Sequence, residues 1–283
     1  MSSDQESQQR SAEEFDSWRS FWNFRREIAC DWRYVRSSAG QKFLSAVAAG
    51  THARSKSIPE GRNFYRAQVA HHDVLDEAVG EAFPGPAMPD RMLPLPDRAT
   101  EGRVNPKGIP CLYMAADQHT AMAEARPWIG SLVSVGILRT RRPLRIVDCT
   151  DGADRHPIFI DGEPSAEKRI EAVWSHIARA FREPVTRDDD RAEYAATQVI
   201  AETFRAENFD GLAYRSAFGV DGFNIALFDL SAAELVMCSL HEIRDVELKY
   251  AETANPYYVQ QRADGTPVLV RNVITDIGPV AAD

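Results

Sequence analysis

The order of the short strand-forming runs is what most limits how this chain can fold. From residue 63 onward, runs of β-branched and aromatic residues recur between turn-forming stretches. They are NFYRAQV (63–69), CLYMAA (111–116), LVSVGIL (132–138), LRIVDCT (144–150), GLAYRS (211–216), FNIALFD (223–229) and LVMCSLHEI (235–243). Helical periodicity is confined to about 117–126, 166–182 and 192–208. Several strands follow one another with no helix between them, so a regular βαβ succession is excluded. The pattern points to an α+β fold with a mixed or antiparallel sheet core and flanking helices.

Ahead of these strands lies a different texture. Over residues 12–36, Phe15, Trp18 and Trp22 fall on one helical stripe and Phe21, Phe24, Ile28, Trp32 and Val35 on an adjoining one. A second helical segment, GQKFLSAVAAG, precedes the breaker SKSIPEG. This divides the chain into an N-terminal helical extension (1–60, its polar first residues expected to be disordered), a main domain (61–250) and a C-terminal hairpin or tail (251–283) with Asp264 and Gly265 at its turn. The stretch from His71 to Pro106 is proline-rich and irregular, and a functional lid is one reading of it.

Composition narrows the function classes. With 33 Lys and Arg against 42 Asp and Glu, the net charge is -9, which repels a nucleic-acid backbone. The four cysteines are dispersed, with no paired metal-ligand spacing, which fits a reducing cytoplasmic setting. No stretch has the apolar length of a membrane span, and the polar N-terminus lacks a signal-peptide pattern. Glycine-rich dinucleotide and phosphate loops, a GxSxG elbow and an HExxH helix are all missing. Asp188, Asp189 and Asp190 stand in a row, as a solvated acidic loop does, and no metal site is expected. Arg139, Arg141, Arg142 and Arg145 cluster in LRTRRPLR, which reads as a basic hairpin turn or as a dock for an acidic partner.

Three blocks in order carry a resemblance. GIPCLYMAADQHTAMAEARP (108–127), preceded by NFYRAQ and followed by FDGLAYRSAFGVDGFNIALF, resembles the signature of the RES-domain family over about residues 60–250. The family's arginine, glutamate and serine fall on Arg66, Glu124 and Ser216, and its pocket tyrosine on Tyr113. The resemblance implies an ADP-ribosyltransferase-like fold with NAD+ as substrate and no metal. It implies a toxin that hydrolyses or phosphorolyses NAD+, restrained by an Xre-type antitoxin that blocks the pocket. Alternatives are mono-ADP-ribosylation of a protein, or a silent module that binds a nucleotide or a partner. Homo-oligomerisation is left open.

These residue types suit that chemistry. Nicotinamide leaves NAD+ as a neutral molecule, so no general acid is needed. One carboxylate, Glu124, can stabilise the oxocarbenium-like transition state. Arg66 suits a diphosphate through bidentate geometry. Tyr113 offers a ring face and a hydroxyl to the nicotinamide. Ser216 and Asn224 offer neutral hydrogen bonds to the ribose or carboxamide. The helix around Glu124 is slim, with Ala121, Ala123 and Ala125, a cap at Asp117 and a stop at Pro127.

Overall fold

The computed structural model of the chain describes residues 14–95, 98–184, 191–218, 222–252 and 257–271. Two compact units emerge, Met1–Arg244 and Asp245–Asp283. The first is built on an eight-stranded mixed sheet. Its strands are β1 (Ser55–Ile58), β2 (Asn63–Gln68), β5 (Leu112–Ala115), β6 (Leu132–Thr140), β7 (Leu144–Cys149), β8 (Gly211–Arg215), β9 (Phe223–Leu227) and β10 (Ala233–Glu242), in the order β1-β7-β8-β9-β5-β2-β6-β10. Only β7 and β8 pair in parallel; the other pairings are antiparallel. Asp188, Asp189 and Asp190 lie outside the described residues, and among the described residues no cluster of His, Cys, Asp or Glu could hold a metal ion. No described helix is long and apolar enough to cross a membrane.

Period-two alternation divides the side chains between two cores. On one face Val147, Cys149, Leu212, Tyr214 and Ala226 pack with the long helices α5 (Ala166–Arg182) and α6 (Ala195–Ala206). On the other, Phe64, Met114, Ile146, Ala213, Ile225 and Leu227 form a second cluster. The N-terminal helices α1 (Ser20–Arg26) and α2 (Ser38–Thr51) join the first of these. Phe21, Phe24, Phe43 and Val47 are buried against the same core that holds Trp174 and Phe204.

The aromatic helix is shorter than its periodicity suggests. After α1 the chain passes through one π-helical turn, Glu27–Asp31, and leaves helical geometry at Trp32. Trp32 is 60% and Val35 74% exposed, so neither continues the buried stripe. The stop is explained by Glu27, whose carboxylate accepts from the backbone N–H and hydroxyl of Ser37, the cap of α2. That bond turns the chain back.

The stretch from His71 to Pro106 is more regular than the sequence indicates. It holds a hairpin of β3 (His71–Asp76) and β4 (Glu81–Pro86), followed by the short helix α3 (Pro89–Met92). Every residue of β3 is exposed, so no apolar alternation marks it as a strand. The expected hairpin at LRTRRPLR is also corrected. β6 pairs with β2 and β10, whereas β7 pairs with β1 and β8, so the basic link joins two strands that do not pair with each other. In the second unit, β11 (Tyr257–Gln261) and β12 (Pro267–Arg271) form the hairpin expected around Asp264 and Gly265.

Candidate active site

The registered pairing of β2 with β5 is a single position, Tyr65 opposite Ala115. Around this loosely joined pair lies a cavity of about 420 Å3, lined among others by Arg66, Gln68, Tyr113, Tyr214, Glu124 and Asn224. Helix α4 (Gln118–Glu124) packs against β2, β5 and β6 and closes one side, with Ala121 and Ala125 in the lining. Its small side chains bring the helix close to the strands. Asp117 caps it, accepting from the Thr120 N–H at 2.8 Å and the Thr120 hydroxyl at 2.7 Å. Those bonds hold the Asp117 carboxyl below its ordinary range, against the opposing pull of desolvation.

Glu124 is the last residue of α4, at the end where the helix dipole disfavours an anion. Two donors offset that position. Ser216 Oγ lies 2.8 Å and Asn224 Nδ2 2.5 Å from Glu124 Oε1. Both donors converge on one oxygen, which orients the carboxylate. Both are buried, Ser216 at 3% and Asn224 at 4% exposure. Ser216 is itself gripped: its hydroxyl accepts from the Phe218 N–H, and its own N–H donates to the Gly222 carbonyl. At Gly222 a Cβ would stand 2.3 Å from Thr120 Oγ1, so only glycine lets this loop close against α4.

Arg66 crosses from β2 to donate through Nη1 to the Tyr113 carbonyl at 2.9 Å. Its Nε is buried without a partner, and burial pulls the guanidinium pKa down from its ordinary value. No carboxylate is paired with it in the described structure. A charge left in that state favours an anionic ligand.

Tyr113 departs from expectation in one respect. Its ring is in the cavity wall, but its hydroxyl is already committed. Asn105 Nδ2 faces three carbonyls, of Thr100, Pro106 and Ile109, which can only accept. Asn105 Oδ1 is therefore turned to Tyr113, whose hydroxyl donates to it at 2.7 Å and accepts from the Val104 N–H at 3.0 Å. Gln198 on α6 ties this loop down through the carbonyls of Gly102 and Asn105. Burial raises the Tyr113 pKa well above the ordinary phenol value. The ring face, not the hydroxyl, is what a ligand meets.

Arg66, Tyr113, Glu124 and Asn224 are thus brought to one cavity, while Ser216 stands behind it and reaches it through Glu124. Tyr214, Tyr65 and Gln68 also line the cavity and were not singled out by sequence. Strand alternation could have found two of them, since Tyr214 lies two residues before Ser216 and Gln68 two after Arg66. Cys111 and Cys149 are buried thiols, both pushed up to about 12 by desolvation, and so are protonated at neutral pH.

No curated protein matches the chain. Among solved structures, a chain of the M. tuberculosis MbcT-MbcA toxin-antitoxin complex aligns at 17% identity. The alignment covers 69% of this chain and 92% of that one, with a TM-score of 0.38. The model of the RES domain matches residues 63–251, which hold every residue just placed around the cavity, and the chain belongs to the RES-domain family.

Proposed function

We propose that this protein consumes NAD+ by cleaving the bond between nicotinamide and ribose, with water or phosphate as acceptor. The observation that carries the reading is the Glu124 carboxylate, oriented through Oε1 by Ser216 and Asn224 in a cavity that also holds the buried guanidinium of Arg66, whose Nε has no partner among the described residues. Arg66 binds the diphosphate, and the Tyr113 ring packs against the nicotinamide. As the C–N bond breaks, its electron pair goes to the nicotinamide nitrogen, which becomes neutral. Positive charge then grows on the ribose and is stabilised by Glu124. Oxygen of water or phosphate bonds to the same carbon, and any proton it loses passes to solvent.

Family membership supports extending the reading to a toxin of a toxin-antitoxin pair, restrained by an Xre-type antitoxin. Incubation of the pure protein with NAD+, with and without phosphate, tests the proposal by following nicotinamide and identifying the other product. ADP-ribose or its 1-phosphate is the expected product. A covalently ADP-ribosylated protein would move the assignment to transfer, and absence of nicotinamide release would overturn catalysis.

A further inference from the structure

Tyr214 of β8 stands directly opposite Asn224 of β9, so the two side chains share one face of the sheet, and both line the cavity that holds Glu124. Only 4% of Tyr214 is exposed, yet among the described residues its hydroxyl has no hydrogen-bond partner, and its oxygen is not sealed in the core. Resting on the NAD+ reading, we propose that the Tyr214 hydroxyl is a further substrate contact of this site, donating to an oxygen of the ribose that lies beside Glu124.

Three observations carry this. The first is the unused donor itself. Buried tyrosine hydroxyls ordinarily find a partner, and one left without is costly, whereas a phenylalanine would fill the same core at no such cost. The second is that the ring is held in place: the Phe181 ring centroid lies 6.2 Å from it, and the Arg103 guanidinium sits 5.3 Å over its centroid. A fixed ring fixes the position of its oxygen. The third is the neighbourhood. Ser216 Oγ and Asn224 Nδ2 are both spent on Glu124 Oε1, which leaves Tyr214 as the donor on that face still free for a ligand. Burial pushes the Tyr214 phenol above its ordinary range, against Arg103 and with Glu124 adding to the rise, so at neutral pH the group is a neutral donor. The sugar oxygens beside Glu124 can accept from it. The two buried tyrosines of the cavity thus divide their work, because the Tyr113 hydroxyl is committed to Asn105 and Val104 and only its ring meets the ligand.

The test is Tyr214→Phe, which keeps the packed ring and removes only the hydroxyl. Nicotinamide release from NAD+ is followed at steady state in the wild type and the variant, beside the melting temperature of each without ligand. The variant is expected to lose about tenfold in kcat/KM, the worth of one hydrogen bond to the substrate. Its melting temperature is expected to stay the same or rise, since no bond within the protein is lost. A kcat/KM within about twofold of the wild type would overturn the proposal. A melting temperature lower by about 3 °C or more would overturn it too, because the hydroxyl would then have its partner in the protein. If the wild type releases no nicotinamide, cleavage of NAD+ fails, and calorimetric titration with ADP-ribose decides the contact by itself. Binding about tenfold weaker in Tyr214→Phe upholds it; equal binding, or no binding by the wild type, removes it.

Discussion

Two arginine-bearing regions of this molecule behave in opposite ways. In the link between β6 and β7, Arg142 pairs with Asp210 at 2.8 Å and Asp229 at 3.5 Å, and Arg141 approaches Glu234 at 3.7 Å. Arg145 donates to the carbonyls of Glu207 and Asn208, and Arg139 to Asn63. The hydrogen bond to Asp210, aided by Asp229, raises the Arg142 pKa above its ordinary value. In the cavity, burial lowers that of Arg66, whose one hydrogen-bond partner among the described residues is the Tyr113 carbonyl. The matched cluster has its partners within its own chain. The unmatched one is costly in isolation, and such a cost persists where a ligand completes the site.

Breaking the unmatched region should have the larger effect on activity. Arg66→Ala is expected to raise KM for NAD+ about 30-fold, the loss of a charge-assisted contact. It should leave the melting temperature unchanged or higher, because an uncompensated buried charge is removed. Steady-state kinetics with a thermal melt check both halves. Ser216→Ala removes one of the two donors on Glu124 Oε1 and should lower kcat about tenfold with KM nearly constant. A change confined to KM would instead place the hydroxyl on the substrate.

Smaller effects sharpen the contrast. Tyr113→Phe keeps the ring and should hold kcat/KM within about threefold, at a cost of about 1–2 kcal/mol of stability from the stranded Val104 N–H and Asn105 Oδ1. Chemical denaturation beside kinetics reads the two separately. Arg142→Ala breaks an exposed pairing and should cost less than about 1 kcal/mol in the same denaturation assay, with NAD+ kinetics unaltered.

Much of this was readable from the residues. The run at 166–182 coincides with Ala166–Arg182 because its apolar face is regular, and Asp117 announces the start of α4 as caps do. The three blocks bearing Arg66, Glu124 and Ser216 do fold together, although nearly a hundred residues separate Glu124 from Ser216 and Asn224. What stayed hidden depends on tertiary partners. The β3–β4 hairpin is exposed along β3 and carries no periodic signal. Glu124 is the last residue of its helix, with Ala125 as the C-cap, a boundary that the helical pattern over 117–126 does not mark. The commitment of the Tyr113 hydroxyl depends on Asn105, whose orientation is set by three carbonyls. A sequence records neither carbonyl positions nor cavities.

The central claim is that one oriented carboxylate carries the chemistry. Its most direct test is the rate of nicotinamide release at saturating NAD+ by the wild type and by Glu124→Gln, a change that keeps size and removes charge. The account predicts at least a 100-fold fall in kcat with KM and melting temperature little altered. A Glu124→Gln protein that releases nicotinamide at the wild-type rate would contradict it.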